Sequence, residues 1–390
     1  MKFRYSAPAL LILMVVMAIA AQAIISNRIS SHMTASSEAG QFTMMAQVIQ
    51  SEMNGAQTKA AAGAELIAAI PMVKEAFAAR NREQLLAITK DPYRVQHEKY
   101  GITQAQFHAM PSTSFLRVHN PAKFGEDLSG YRQMVVEVNR SMALRKGVEI
   151  TTSGIGIFGT VPVTDTVGSH TGSFELGFEF GPMLDSIKSA YGFELAVYID
   201  EKMLRETATS LHSDVLNEQN RVGKFVKFYS THAELLRSLV TGEDIGIVED
   251  VSYVRAAQGV PYGILLTPLY NFAHKQIGVL AVSRDFSATR AAAGQAIIYS
   301  ALLALICAVI LIGAVLIIIR GKVLQPLAQL TESMNALAEG DTSRAIEDVE
   351  VMCEELRNAS ESYEKMRTLQ MKDAPQKSDP PSGASSGASS

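Results

Sequence analysis

The sequence predicts an α+β protein: a long N-terminal helix leading into two tandem α+β modules outside a membrane, two transmembrane helices, and a cytoplasmic helical coiled coil. Three observations carry this reading. Two uncharged apolar segments, 7–25 and 296–319, stand out in a chain of 390 residues that is 47% hydrophobic and 19% charged. Between them a helical alphabet gives way after Tyr100 to short strands punctuated by Gly and Pro, and the strand alphabet starts again at "FELAVYI". Beyond the second segment, Val323, Leu327, Leu330, Met334 and Leu337 recur at intervals of three and four residues, the spacing of a coiled-coil seam.

Each apolar segment is about long enough to cross a hydrocarbon core as a helix. Lys2 and Arg4 precede the first, and Arg320 and Lys322 follow the second. The excess of basic residues on the cytoplasmic side places both termini, 1–6 and everything beyond 319, in the cytoplasm and residues 26–295 outside. In a bacterium with two membranes this is an inner-membrane, multi-pass protein with a periplasmic region. "AQA" at 21–23 also fits a signal-peptide cleavage site, but the apolar run continues to Ile25. Cys307 and Cys353 both lie outside the exported region, so no disulfide framework supports that region. The net charge of −4 gives no general attraction to nucleic acid.

From Ser26 to about Ala69 the chain is rich in Ala, Met, Gln and Glu, and Met44, Val48, Ile49, Met53 and Leu66 recur at near-helical intervals. This predicts a helix continuing from the membrane, broken or kinked at Pro71 and followed by one or two helical pieces in "MVKEAFAARNREQLLAIT". "QAQFHAM", "SFLRVHN", "GVEITTSGIGIFGTVPV" and "GSFELGFEF" have the β-branched and aromatic content of an antiparallel sheet, with a helix in "DLSGYRQMVVEVNRSM". "GPMLDSIKSAYG" is a connecting helix, and "YGILLTPLYN" and "QIGVLAVSRDFS" close the second module. The distal module covers about 90–185 and the proximal one about 186–290.

The run "QFHAMPSTSFLRVHNPAKFGEDLSGYRQMVVEVNR", with "GVEITTSGIGIFGTVPV" and "GSFELGFEF", resembles the membrane-distal module of the double Cache sensors, in particular the group called dCache_3. Such sensors occur in bacterial chemoreceptors, sensor kinases and diguanylate cyclases. The resemblance implies two PAS-like modules and a small-molecule ligand held between the distal sheet and the layer covering it. "RGKVLQPLAQLTESMNALAEGD" resembles the first helix and connector of a HAMP domain, here 320–370, with Pro326 near the helix start and Gly340 at its end. Val349, Met352, Leu356, Ala359, Tyr363 and Met366 form a second amphipathic run, though "EDVEV" at 347–351 departs from the usual HAMP start. Apolar seams of this kind need a twofold partner, which predicts a parallel homodimer. Residues 371–390 are rich in Ser, Pro and Gly and are expected to be disordered.

The densest chemistry lies in "SFLRVHNPAKFGEDLSGYR", residues 114–132. Catalysis is not indicated: no nucleophile elbow, phosphate-binding loop or dinucleotide fingerprint occurs, and no cofactor is expected. His97, Glu98, His108 and His119 suggest a metal site, but "HEKYG" lacks the second histidine one turn on that a zinc helix needs. A ligand pocket suits the residue types better. Period-two alternation puts Phe115, Arg117 and His119 on one face and Leu116 and Val118 on the other. Arg132, next to Tyr131, has the planar fork that suits a carboxylate or phosphate. With His108, Lys123, Asp127 and Glu149 these residues make up the candidate site for a small anionic ligand. The competing reading is an ion-paired network of Arg117, Asp127 and Arg132 that holds the loop, with Asp127 also able to cap the following helix and His108 to satisfy a backbone carbonyl. Phe158, in "GIGIFG", stands where the resemblance leads one to expect an arginine, which puts the family's usual ligand in question. The function expected is signal reception: ligand outside, relay through the second membrane helix to the coiled coil, and output by full-length chemoreceptors or a separate signalling protein. The rival is a membrane-anchored interaction partner, or a truncated receptor, that binds no ligand.

Overall fold

The computed structural model describes residues 3–211, 214–346 and 354–373. Helix α1 (Phe3–Ala68) runs unbroken through the first apolar segment, residues 21–23 included, and the Ala- and Met-rich stretch behind it. Pro71 opens α2 (Pro71–Ala78) in the first turn, where no N–H is needed. Asn81 caps α3 (Arg82–Tyr100) by accepting from the Gln84 N–H at 3.0 Å, and Gly101, at φ 75°, ends it in the left-handed conformation that glycine tolerates.

The first sheet contains β1 (Gln104–Ala109), β2 (Thr113–Arg117), β3 (Arg145–Thr151), β4 (Gly154–Thr164) and β5 (His170–Glu179), all antiparallel in the order β2-β1-β5-β4-β3, with α4 (Gln133–Ser141) between β2 and β3. "GVEITTSGIGIFGTVPV" is thus a hairpin rather than one strand. Helix α4 starts six residues later than the sequence suggests. Asp127 does not cap it: its carboxylate accepts from the Ser129 N–H and hydroxyl, both at 2.9 Å, and closes a turn two residues on.

After α5 (Phe180–Tyr191) the second sheet is built from β6 (Glu194–Asp200), α6 (Glu201–Thr207), β7 (Arg221–Val222), β8 (Phe225–Ser230), α7 (Ala233–Leu239), β9 (Val251–Ala257), β10 (Val260–Tyr270) and β11 (Gln276–Asp285), in strand order β7-β8-β6-β11-β10-β9. Two tandem sheet modules, as the sequence predicts, therefore follow the long helix. One continuous apolar core joins α1, the first sheet and one face of the second. Within it Phe107 and Phe174 lie 4.2 Å apart, ring centre to ring centre. Gly159 on β4 lets α1 lie directly on the sheet, since a Cβ there would come within 2.2 Å of the Ala61 backbone nitrogen. The two modules are also tied through main chain: the Phe272 N–H donates to Val148 O at 3.0 Å and the Ser210 N–H to Thr152 O at 2.8 Å, both acceptors lying on or just after β3.

The chain divides into two units, 32–293 and 1–31 with 294–390. Helix α8 (Ser287–Ile319) passes through a π-helical turn, Arg320–Leu324, into α9 (Gln325–Ala338), and α10 (Glu354–Asp373) follows. Among the described residues, 13–68 and 287–338 hold two stretches long and apolar enough to cross a membrane. The Ser26 and Ser300 hydroxyls, one on each of these helices, are 2.8 Å apart. The predicted single stripe on α9 proves to be two faces. Leu330 and Leu337 are buried with Ile346 and Tyr363, and Pro326 is buried in the first turn, while Leu327 and Met334 remain 45% and 47% exposed and Val323 is half-buried. On the second run Leu356 is half-buried, whereas Ala359 and Met366 are exposed. Met371–Asp373, expected to be disordered, complete α10. Lys2, the "EDVEV" stretch with Val349, Met352, Cys353 and residues 374–390 lie outside the described residues.

Candidate functional site

Strand register decides which side chains meet. Across the first sheet one cross-strand row reads Arg117, Gln106, Glu175, Thr160, Arg145, and the next reads Ser114, His108, Ser173. Directly opposed residues share a face, so these polar groups line the side of the sheet that α4 and the 118–131 loop cover. Phe115 does not join them. The β1–β2 pairing slips between Phe107 and His108, leaving Phe115 as an extra residue in a β-bulge. The bulge breaks the alternation and turns Phe115 to the side of Leu116, where its ring lies 5.3 Å from that of Phe77 in the apolar core.

At the centre of the polar face sits Arg132, 3% exposed. Its Nε donates to Glu149 at 2.9 Å, while Nη1 and Nη2 donate to the two oxygens of Glu175 at 2.9 and 2.5 Å. The guanidinium lies 4.7 Å from the ring centre of Phe158, and that ring fills the space where Cβ atoms on Gly156 and Gly177 would otherwise be. Glu149 also accepts from the Met134 N–H at 2.8 Å, and Glu175 from the Thr160 hydroxyl at 3.2 Å. Both carboxylates are buried, at 3% and 0% exposure. Arg132 therefore belongs to an ion-paired network, but its partners are Glu149 and Glu175, not Arg117 and Asp127. Arg117 forms a separate pair with Glu126 at 2.9 Å and donates to the Lys123 carbonyl, latching the loop onto β2.

Burial opposes charge on Glu175, yet Arg132 and then His108 outweigh it and hold this carboxyl far below the usual range. For Glu149 burial prevails over Arg132 and the Met134 N–H and pushes the carboxyl up. Burial likewise opposes charge on Arg132, and the two carboxylates more than compensate. His108 is fully buried; its Nδ1 is 3.2 Å from Ser173 Oγ, and its Nε2, 3.5 Å from Glu175 Oε1, makes no hydrogen bond among the described residues. It does not satisfy a backbone carbonyl.

The remaining candidates are spread around this cluster. His119 is held at Nδ1 by the main chain of Ala105 at 3.0–3.1 Å. His97 bonds to Ile102 O at 2.9 Å, so these two rings serve the backbone. Lys123 reaches Ser210 of the proximal module at 3.3 Å, and Asp127 is exposed. Tyr131 is half-buried at the edge of the cluster, and burial raises its hydroxyl pKa. Glu175, Glu126, Gln106 and Thr160 are absent from the sequence-derived set. A signal for Glu175 existed: in "SFELGFE" the aromatic and aliphatic positions alternate with Ser173, Glu175 and Gly177, so the strand turns a carboxylate to its second face.

His108 and His119 have lowered pKa values, chiefly through burial. Below pH 6.5 the unfolded chain takes up protons at these rings that the folded chain refuses. Stability is therefore full above that pH and falls as pH drops, by at most about 1.4 kcal/mol per pH unit for each histidine. His108→Gln is expected to reduce the fall in Tm between about pH 7.5 and pH 5.5 relative to wild type. An undiminished fall would mean that His108 titrates normally in the folded protein.

Solved structures similar over part of the chain include an extracellular ligand-binding receptor from Desulfohalobium retbaense (16% identity, TM-score 0.36, covering 62% of this chain and 39% of that one). The ligand-binding domain of Campylobacter jejuni chemoreceptor Tlp3 in complex with 4-methylisoleucine matches at 11% identity and TM-score 0.40, covering 66% of this chain and 92% of that one. The periplasmic domain of Vibrio cholerae LuxQ matches at 10% identity and TM-score 0.38, covering 62% and 99%. No curated protein matches. The family model dCache_3, described as the double sensory domain of two-component sensor kinase, matches residues 37–289, about two thirds of the chain, and the protein belongs to this family.

Proposed function

We propose that this chain is a transmembrane signal receptor of the inner membrane, whose double sensory domain takes a small ligand on the periplasmic side and relays a conformational change through α8 to a HAMP-like helix pair, α9 and α10. The observation that carries the reading is the position of the family match, 37–289, between the apolar segments 7–25 and 296–319 of two helices long enough to cross a membrane. On this reading the chain is a homodimer. Leu327 and Met334, apolar and exposed one heptad apart, form the face toward the partner, whereas Leu330 and Leu337 hold α10 within the chain. The output is supplied by a separate signalling protein or by full-length chemoreceptors.

On this reading a distal ligand acts by disturbing the Arg132 cluster. An anion clamped by Arg132 is not the favoured ligand, because it would have to displace a carboxylate that is already bonded; the two buried carboxyl groups favour a ligand with a cationic or hydrogen-bond-donating group. The same saturation of Arg132 favours a second reading, an interaction partner that binds nothing in its distal module. Thermal shift of the full chain in nanodiscs against a metabolite library separates the two, since a ligand that binds only the folded form raises its Tm. A library without effect, alongside an intact fold, would leave the interaction role. Topology has its own test: reporter fusions after Tyr100 and Asp285 are expected to read as exported and one after Gly340 as cytoplasmic. A cytoplasmic result at Tyr100 would overturn the receptor reading.

A further inference from the structure

The second sheet has a polar site on the face that turns away from the main core. Ala196, Tyr198, Phe225, Ile264, Val279 and Ala281 form a separate apolar layer there, packed with Leu236 and Leu239 of α7. Tyr198 on β6 and Lys227 on β8 are direct cross-strand partners and so share this face. The reason is again a bulge. The β6–β8 pairing slips between Val197 and Tyr198, which sends Phe228 and Tyr229 to the main core and leaves Lys227 beside Tyr198. Helix α7 is anchored over the layer at its C-terminal end, where Leu239 O accepts from the Tyr253 hydroxyl at 3.0 Å and from Arg255 Nη1 at 2.6 Å. Arg237 stands exposed on α7 between Leu236 and Leu239, which pack on this layer, and its charge acts on both Tyr198 and Lys227.

These groups have no partners among the described residues. Neither half-buried Lys227 nor Arg237 makes an ion pair or a hydrogen bond, and the hydroxyl of Tyr198, a side chain 1% exposed, is unbonded. Two acids on the flanking segments, Asp244 ahead of β9 and Glu201 at the start of α6, are already committed. Asp244 pairs with Arg255 at 2.7 Å and accepts from Thr241, and Glu201 pairs with Arg205 and Arg221. The contrast with Arg132, which has two carboxylates of its own, is plain. We infer that Tyr198, Lys227 and Arg237 form a binding site for a phosphate group, distinct from the distal cluster. Two uncompensated cations match a dianion, the Arg fork and the Lys point charge are the pair of donors phosphates use, and the tyrosine supplies a third. Burial, reinforced by Arg237, lowers the Lys227 pKa, as expected of an ammonium lacking its counter-charge, and burial keeps the Tyr198 hydroxyl protonated to donate.

The phosphate has two sources that share this chemistry, a free phosphate or phosphomonoester and a lipid headgroup. The test uses the full chain in phosphatidylcholine nanodiscs, in chloride buffer of matched ionic strength, titrated with inorganic phosphate. Wild-type Tm is expected to rise by about 2–4 °C at saturation, and Lys227→Met and Arg237→Gln to abolish the rise. Without phosphate, Lys227→Met is expected to unfold at or above the wild-type temperature, because it removes a repelled charge. Nanodiscs containing phosphatidic acid form the second arm: stabilisation of wild type but not of the variants there, without added phosphate, assigns the site to a headgroup, and stabilisation by inorganic phosphate alone assigns it to a free ligand. No rise in either arm, or a rise that Arg237→Gln retains, would overturn the site. Arg237 is exposed on its helix, so its substitution leaves the test readable even if Lys227→Met misfolds.

Discussion

Arg132→Met is expected to lower the unfolding free energy by about 3–5 kcal/mol, because it strands two buried carboxylates that share one cation. Glu149 and Glu175 are each almost fully buried, and Arg132 supplies three of the hydrogen bonds that hold them. Denaturant midpoints of wild type and variant, measured without ligand, check this. Adding Glu149→Gln and Glu175→Gln to the variant should restore much of the loss, since neutral amides in the same places carry no uncompensated charge. Arg132→Lys should recover less, as an ammonium cannot make the paired contact to Glu175 and one to Glu149 in the same plane. An unchanged midpoint for Arg132→Met would show the carboxylates finding other partners and would return Arg132 to the role of ligand clamp.

Gly159→Ala is expected to cost about 2–3 kcal/mol, although it adds a single methyl group. The atoms in its way are main-chain atoms of α1 at Ala60 and Ala61, between 2.2 and 2.7 Å from the new Cβ, and a helix backbone cannot rotate aside as a side chain would. The helix must lift from β4, opening the core where Ala60, Ala61 and Ala64 are packed. Limited proteolysis of α1 beside a thermal melt reads this out: faster cleavage within 45–68 together with a lower Tm is the expected pair. A variant matching wild type in both would mean that the helix does not sit against this strand.

Much of the architecture was legible because it rests on composition and period. The break at Pro71, the change of alphabet after Tyr100 and its restart at β6 are local signals, and the structure has the corresponding elements. Strands β8 and β9 and helices α6 and α7 went unread, since "FVKFYS" and "VSYVRAA" mix charge with aromatics at short length. The site was legible in its residue types and not in its pairing. Arg132 and Glu149 meet directly, and His108 joins them only through Glu175, forty-three residues along the chain from Arg132. Phe115 was misplaced for a different reason: alternation holds only while two strands keep step, and one extra residue at a bulge, which no periodicity betrays, reverses the side on which a side chain emerges.

The attachment of the modules to each other through β3 has a consequence for how the sensory region comes apart. Val148 O receives the Phe272 amide and Thr152 O the Ser210 amide, while Glu149, between them in the chain, is bonded to Arg132 and the Met134 amide. The strand cannot leave the first sheet without releasing two amides of the second module and exposing a carboxylate in the same step. Residues 145–152 are therefore a poor place for independent local opening, and the two modules open as one cooperative unit rather than as two foldons in series.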